Sequence, residues 1–320
     1  MITINNPVDL PRSSHAYVTI GNFDGFHLGH RKLIDSLIAD ASRVEESIRI
    51  ALTFKESVIK YIAPERFKGY LLPPEIKFHV LENYGFDYAL AMDFREVMGI
   101  TAAEFLDILC SRYENMTLYV GYNFRFGKGN TGDIDFLRAQ AEQRGFTLKV
   151  FDRQETSGTA IHSTVIRDLV MGGRVDEASE LLGRPYMIYS HKMHGDRIGR
   201  TIGFPTLNLE INEQVLPAIG VYFTYFYFQG HLYPAMTYIG TRPTLHARDL
   251  RLETNLIDFE GHIPDGKYAL FFIRKTRDER SVKNLDELHK LLDEDLREIK
   301  NLSTMYKPDN SFIPLILRGI

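Results

Sequence analysis

A strand that runs into a glycine-rich turn and then a helix restricts the fold more than any composition does, and residues 16–43 have that order. Ala16-Tyr17-Val18-Thr19-Ile20 is short, apolar and β-branched, which predicts a buried strand. From Lys32 to Arg43, the residues Leu33, Ile34, Leu37, Ile38 and Ala41 recur at helical spacing. Between them lies Gly21-Asn22-Phe23-Asp24-Gly25-Phe26-His27-Leu28-Gly29-His30. Such a junction aims unpaired backbone N–H groups and the positive end of a helix at one point, which suits a phosphate. Gly21, Gly25 and Gly29 let the backbone turn tightly and approach a ligand.

The alternation continues. Strands are predicted at 48–54, 88–92, 117–120 and 147–151. The helices between them are Glu75–Tyr84 stopped by Gly85, one opened by the Thr101/Glu104 capping box, and Asp135–Arg144 stopped by Gly145. This order to about residue 155 predicts a parallel, doubly wound, Rossmann-like sheet. Ligands then sit at the carboxyl ends of the strands, where a second glycine-rich turn, Gly121 to Gly132, also falls. Two short helices come next, 161–171 and 176–182. After Pro185 come six strand candidates with no helix between them: 187–189, 206–209, 221–228, 232–238, 252–259 and 268–273. They predict a small antiparallel barrel. Asn284 and Glu287 then cap a final helix whose expected buried face is Leu285, Leu288, Leu291, Leu292, Leu296 and Ile299. A chain of 320 residues is long for one core, so two domains are expected, 1–184 and 185–320.

Composition enters mainly by exclusion. A net charge of −4 and a pI near 6.3 give no broad basic field, so neither nucleic acid nor a membrane surface is expected as a partner. Cys110 is the single cysteine, which rules out an intramolecular disulfide and a cysteine-rich metal site. No apolar run approaches the roughly 20 residues of a membrane span. The N-terminus lacks a signal-peptide pattern. A cytoplasmic location is the expectation; oligomeric state is not encoded in any of these features.

His27 and His30 are three apart, whereas the zinc-protease pattern needs four with an intervening Glu. They read either as helix-capping residues or as donors to a phosphate whose charge grows in a transition state. A second glycine-rich stretch, Gly195-Asp196-Arg197-Ile198-Gly199-Arg200-Thr201-Ile202-Gly203-Phe204-Pro205-Thr206-Leu207-Asn208, lies in the predicted barrel. No Gly-Lys-Ser/Thr motif is present there, so it is not a Walker loop. Thr206 and Asn208 share one face of a strand. By alternation alone Glu253 is an outward-facing residue of a half-exposed strand.

These motifs together resemble one family. Gly-x-Phe-Asp-Gly-x-His-x-Gly-His is similar to the His-x-Gly-His signature of nucleotidyltransferases, in the form found in prokaryotic bifunctional riboflavin kinase/FAD synthetase. Gly121 to Gly127, Ile161 to Arg167 and Leu182 to Tyr186 resemble further segments of that family, and Gly203-Phe204-Pro205-Thr206-Leu207-Asn208 resembles its kinase signature. The resemblance implies an N-terminal FMN adenylyltransferase domain and a C-terminal riboflavin kinase barrel, using ATP and Mg²⁺ on riboflavin and FMN to give FAD. It implies that His27 and His30 act on nucleotide phosphates, with Gly21, Phe23, Asp24, Gly25 and Asn123 in the nucleotide loops. Ser163, Thr164 and Arg167 would hold departing pyrophosphate. Gly195, Gly199 and Gly203 would approach phosphates, Thr206 and Asn208 would bind Mg²⁺, and Glu253 would be the kinase base. The Arg of Arg277-Asp278-Glu279 would lie near nucleotide and flavin.

The chain also departs from the family pattern. Thr53-Phe54 is followed by Lys55-Glu56-Ser57, where the family carries Pro-His-Pro. His162 replaces the first Ser of Ser-Ser-Thr, Asn123 stands where many members have Asp, and Asn255 replaces a frequent His. Three functions therefore remain in view: a bifunctional enzyme, a riboflavin kinase with a weakened or inactive adenylyltransferase half, and a flavin-binding protein without either activity.

Overall fold

The structure is a computed structural model, and it describes residues 1–156, 158–193, 204–243, 248–306 and 311–318. The chain forms two compact units. One comprises residues 1–68, 74–162 and 310–320; the other comprises 69–73 and 163–309.

The first unit is built on a parallel sheet of six strands: β1 (Ile2–Ile4), β2 (Ser13–Ile20), β3 (Ile48–Phe54), β4 (Tyr88–Met92), β5 (Tyr113–Gly121) and β6 (Thr147–Phe151), in the order β1-β4-β3-β2-β5-β6. Its helices are α1 (Leu28–Ala41), α2 (Ile59–Ile62), α3 (Pro74–Asn83), α4 (Phe94–Val97), α5 (Ala102–Cys110) and α6 (Ile134–Arg144). A minor hairpin, β7 (Glu155–Thr156) and β8 (Thr159–Ala160), lies beyond the sheet in sequence. Val18, Ile50, Leu52, Leu90, Leu118 and Val120 are fully or almost fully buried, as parallel strands covered on both faces require. β1 was not foreseen: three residues are too few for a period to show. The expected capping box is present, with Glu104 Oε2 accepting from Thr101 N at 2.8 Å and Thr101 Oγ1 accepting from Glu104 N at 3.2 Å. Gly145 ends α6 in the left-handed region, φ 78°.

Helix α1 starts at Leu28 rather than Lys32, because His27 caps it: His27 Nδ1 accepts from His30 N at 3.3 Å. The sequence-based start came four residues late because Leu28, Gly29 and His30 carry no apolar stripe.

The second unit is a closed six-stranded barrel: β9 (Tyr186–Met193), β10 (Leu207–Leu209), β11 (Gly220–Phe228), β12 (His231–Pro243), β13 (Arg248–Leu256) and β14 (Lys267–Arg277), ordered β10-β13-β12-β11-β14-β9 with β9 paired back to β10. The fifth strand ends at Leu256, not Phe259, since Asp258 takes a left-handed turn conformation, φ 53°. Short helices α7 (Ser163–Met171) and α8 (Val175–Leu182) precede the barrel, and α8 packs on β9 and β14. Helices α7 and α8 belong to the same compact unit as the barrel. The last long helix is α9 (Leu285–Met305). The short helix α10 (Phe312–Leu317) belongs to the first unit, where it packs on α3.

The expected buried face of α9 is the one that differs most. Leu285 is 65% exposed, Leu288, Leu291, Leu292 and Leu296 are half-buried, and only Ile299 and Asp295 are buried. Leu288, Leu291 and Leu292 face a cavity instead of a packed core.

Candidate active sites

In the first unit, the turn after β2 is held in an unusual shape. Phe23, Gly25 and Phe26 all lie in the left-handed region, at φ 49°, 82° and 47°. Two of these are not glycine, so the loop carries local backbone strain of the kind that tertiary contacts must over-determine. The contacts are aromatic. Phe23 meets His30 edge-on with centroids 5.4 Å apart, and Phe26 stacks on Tyr84 at 5.4 Å. A Cβ on Gly21 would stand 3.0 Å from the Phe23 ring, so a side chain there would press on that ring.

His27 and His30 stack on one another, with centroids 3.7 Å apart and planes 13° from parallel. Capping makes His27 Nδ1 an acceptor, so in neutral His27 the proton sits on Nε2. Burial, and then the field of His27, push the His30 imidazole well below the ordinary histidine range, so it is neutral at pH 7. His30 Nδ1 is buried and has no hydrogen-bond partner. The sequence offered helix capping or phosphate donation for the two histidines; the structure stacks them, with His27 capping the helix.

Lys77 is a residue the motifs did not flag. It is buried on α3, and its Nζ donates to Phe54 O at 2.6 Å and Thr53 Oγ1 at 3.2 Å, with Asn22 O at 3.5 Å. Burial lowers its ammonium to about 8, partly opposed by Asp24. A signal did exist: Lys77 stands three and four residues before Val80 and Leu81, in line with the buried stripe of its helix.

Asn123 is exposed in the turn after β5. The His162 departure is engaged, its Nε2 lying 3.0 Å from Tyr122 Oη. Lys55-Glu56-Ser57, which stand where Pro-His-Pro is expected, form a bend that leads into α2, whose Tyr61 stacks on Phe94 at 6.1 Å while Arg95 lies over the Tyr61 ring. Ser163, Thr164 and Arg167 belong to the second unit, at the start of α7, where Arg167 Nε donates to Gly69 O at 3.0 Å.

In the second unit, alternation on three adjacent strands builds one wall. Asn208 on β10 is the Cα partner of Glu253 on β13, and Glu253 is the partner of Tyr238 on β12. Asn255 pairs with Met236 and Arg251 with Gly240 in the same register. All of these side chains, with Thr206, line a cavity of about 370 Å³. Behind this wall Thr237 on β12 and Thr254 on β13, with Thr224 on the neighbouring β11, are fully buried and bonded in a row at 2.7 and 2.8 Å. The cavity's other wall is apolar, with Phe204, Val221, Val282 and the three leucines of α9.

Its charges are ordered. Arg277 donates from Nε and Nη2 to the two carboxylate oxygens of Asp295, at 2.7 and 2.6 Å, which ties β14 to α9. Tyr238 Oη donates to Glu279, and burial followed by that bond raises the phenol far above its ordinary range. An ideal Cβ on Gly240 would lie 1.9 Å from Tyr238 Oη, so only glycine lets the ring take this position. Arg251 reaches to 4.0 Å from Glu253 Oε1, and Asn255 Nδ2 donates to Pro205 O at 2.7 Å, fixing the approach to Thr206. Glu253 thus faces a cavity; alternation had left it on an outward face because the sequence does not show α9 standing over it. Tyr238, Arg251 and Asp295 were missed for the same reason. Gly195, Gly199 and Gly203 lie outside the described residues.

The donors at Thr206, just before β10, and Asn208, within it, are neutral oxygens lining one cavity. That set fits Mg²⁺, which keeps waters and takes most other ligands from nucleotide phosphates. Among the described residues no cluster of three His, Cys, Asp or Glu offers an all-protein metal cage, and no helix is long and apolar enough to cross a membrane.

Comparison with known proteins gives a consistent result. Residues 10–165 match the FAD synthetase family and residues 182–303 match the riboflavin kinase family. The bifunctional riboflavin kinase/FMN adenylyltransferase of Escherichia coli K12 is 32% identical over 294 residues, covering 91% of this chain and 94% of its own. The Bacillus subtilis protein of the same name is 28% identical over 316 residues, covering 96% and 99%. A crystal structure from Streptococcus pneumoniae, described as a macrolide-efflux protein, superposes with a TM-score of 0.84 at 28% identity, over 94% of this chain and 98% of that one.

Proposed function

Because this chain belongs to the bifunctional riboflavin kinase/FMN adenylyltransferase family, we propose a division of labour between its residues in the two ATP-dependent steps, riboflavin to FMN and FMN to FAD. The observation that carries the kinase assignment is the cross-strand pair Asn208–Glu253, with Thr206 beside it, facing one cavity. Residues 185–320 are taken as the kinase half and 1–184 as the adenylyltransferase half.

In the kinase step, Glu253 accepts the proton of the ribityl 5′-hydroxyl as that oxygen attacks the γ-phosphorus. The bond from the γ-phosphorus to the β,γ-bridging oxygen breaks, and ADP leaves with the electron pair. Thr206 Oγ1 and the Asn208 amide oxygen would hold Mg²⁺, which offsets phosphate charge when bound. The flavin ring, flat and largely apolar, fits between the strand wall and Leu288, Leu291 and Leu292. A cavity of about 370 Å³ is within the usual range for a ligand of this class.

In the adenylyl step, the FMN phosphate oxygen attacks the α-phosphorus of ATP and pyrophosphate departs. The nucleophile is already anionic, so no side-chain base is required; positioning and charge stabilisation are. The stacked pair His27–His30 contacts the phosphates from the helix start, beside Gly21, Phe23, Asp24 and Gly25, with Asn123 in the second loop. Ser163, Thr164 and Arg167 are assigned to pyrophosphate on the motif alone. The single, partly buried cysteine Cys110 and the absence of a basic field fit a cytoplasmic location.

The test is to incubate the purified chain with riboflavin, ATP and Mg²⁺ and resolve FMN from FAD. FMN and FAD both form on this reading. FMN alone, even when FMN is supplied as substrate, refutes the adenylyl assignment.

A further inference from the structure

The two steps as assigned leave the buried ammonium of Lys77 unused. Lys77 lies where the carboxyl ends of two adjacent parallel strands meet. β2 and β3 pair from Ala16↔Ile48 to Ile20↔Leu52, and the turn after β2 leaves that edge at Gly21, whose N–H donates to Leu52 O at 3.0 Å. The Lys77 ammonium bridges the carboxyl end of β3 and the turn beyond β2. It bonds to Thr53 and Phe54 on the strand and reaches Asn22 O in the turn. Asn22 precedes Phe23, the strained residue whose ring abuts His30. A chain of contacts therefore runs from the ammonium through the turn to the stacked histidines.

We propose that Lys77 is a positioning residue for FMN adenylylation: its charged Nζ clamps the His27–His30 turn to the end of β3 and holds the imidazole pair in register for the nucleotide phosphates. The clamp works only as a cation. All its partners are oxygens, and a neutral amine cannot donate three charge-assisted bonds at once. Of the groups around it, Asp24 comes from the turn, the neutral Thr53 and Phe54 from β3, and His27 and His30 from the turn's far end and α1; Asp24 is the anion acting on it. Burial brings Lys77 to about 8, so the clamp opens within an accessible pH range. The inference rests on the reading of His27 and His30 as phosphate contacts.

The experiment measures FAD formation from supplied FMN and FMN formation from riboflavin in the same preparations of wild type, Lys77→Arg, Lys77→Met and His30→Ala, from pH 6.5 to 9.5. Lys77→Met should lower adenylylation kcat roughly ten- to hundredfold and leave riboflavin phosphorylation as in wild type. In wild type, adenylylation should decline above about pH 8, and Lys77→Arg should move that decline upward by at least about one pH unit, since an arginine stays charged. The arginine variant keeps the test open even where the methionine variant folds poorly. Wild-type adenylylation in Lys77→Met, or a decline at the same pH in Lys77→Arg and wild type, overturns the proposal alone if His30→Ala abolishes FAD formation. Full FAD formation by His30→Ala overturns the phosphate reading and the proposal with it.

Discussion

Asp295→Ala is the perturbation that asks most of the kinase site. The Asp295 side chain is 4% exposed and that of Arg277 14%, and they share two hydrogen bonds of 2.7 and 2.6 Å. Removing the carboxylate leaves the guanidinium buried with one described acceptor, Asp278 O at 3.0 Å. Breaking one side of a buried pair costs about 3–5 kcal/mol, because the surviving charge is not resolvated. For a unit of this size that corresponds to a fall of roughly 6 to 20 °C in melting temperature, read by far-UV circular dichroism since the chain has no tryptophan. Function should change with it. The pair ties β14 to α9, and α9 supplies Leu288, Leu291 and Leu292 to the cavity. If only about 1.4 kcal/mol of the loss reaches the ligand, KM for riboflavin rises tenfold, while adenylylation of supplied FMN is unchanged. The double variant Arg277→Met/Asp295→Leu separates causes: it should recover most of the lost stability, because two apolar side chains leave no buried charge. A double variant as unstable as Asp295→Ala, or an Asp295→Ala protein with wild-type melting and KM, refutes the reasoning.

Asn208→Ala should suppress FMN formation by about 10²–10³ and spare FAD formation from supplied FMN; equal loss of both, measured by chromatography, contradicts separate sites. Gly240→Ala should displace the Tyr238 ring, since a Cβ would lie 1.9 Å from its oxygen, and riboflavin KM should rise without loss of adenylylation. His30 has a folded-state pKa below its unfolded value of about 6.5, so the unfolded chain binds the extra proton. The stability of the first unit should therefore be fully present above about pH 6.5 and fall as the pH drops below it. His30→Phe should flatten that slope in a denaturation series. Thr101→Ala should cost about 1 kcal/mol, through loss of the capping box.

The fold was legible from local pattern. Strand–helix alternation, glycine stops at Gly85 and Gly145, and the Thr101/Glu104 box each act over a few residues, so a linear reading finds them. It also placed the strand–turn–helix order around Gly21–His30, and it set Thr206 and Asn208 two residues apart, where both line the cavity. What it could not find depended on partners remote in the chain. Glu253 reads as an outward residue until α9 is seen to roof its face. Leu288, Leu291 and Leu292 carry a core-like stripe, yet line a cavity, because periodicity reports apolarity and not what lies opposite. Helical spacing puts Lys77 in line with the buried Val80 and Leu81, but only the converging ends of β2 and β3 give its ammonium partners. The sequence by itself determined the elements, their order and the chemistry each could carry. Tertiary structure alone decided which side chains share a desolvated space, and with that their protonation, since burial and charge are properties of neighbours brought together across the chain.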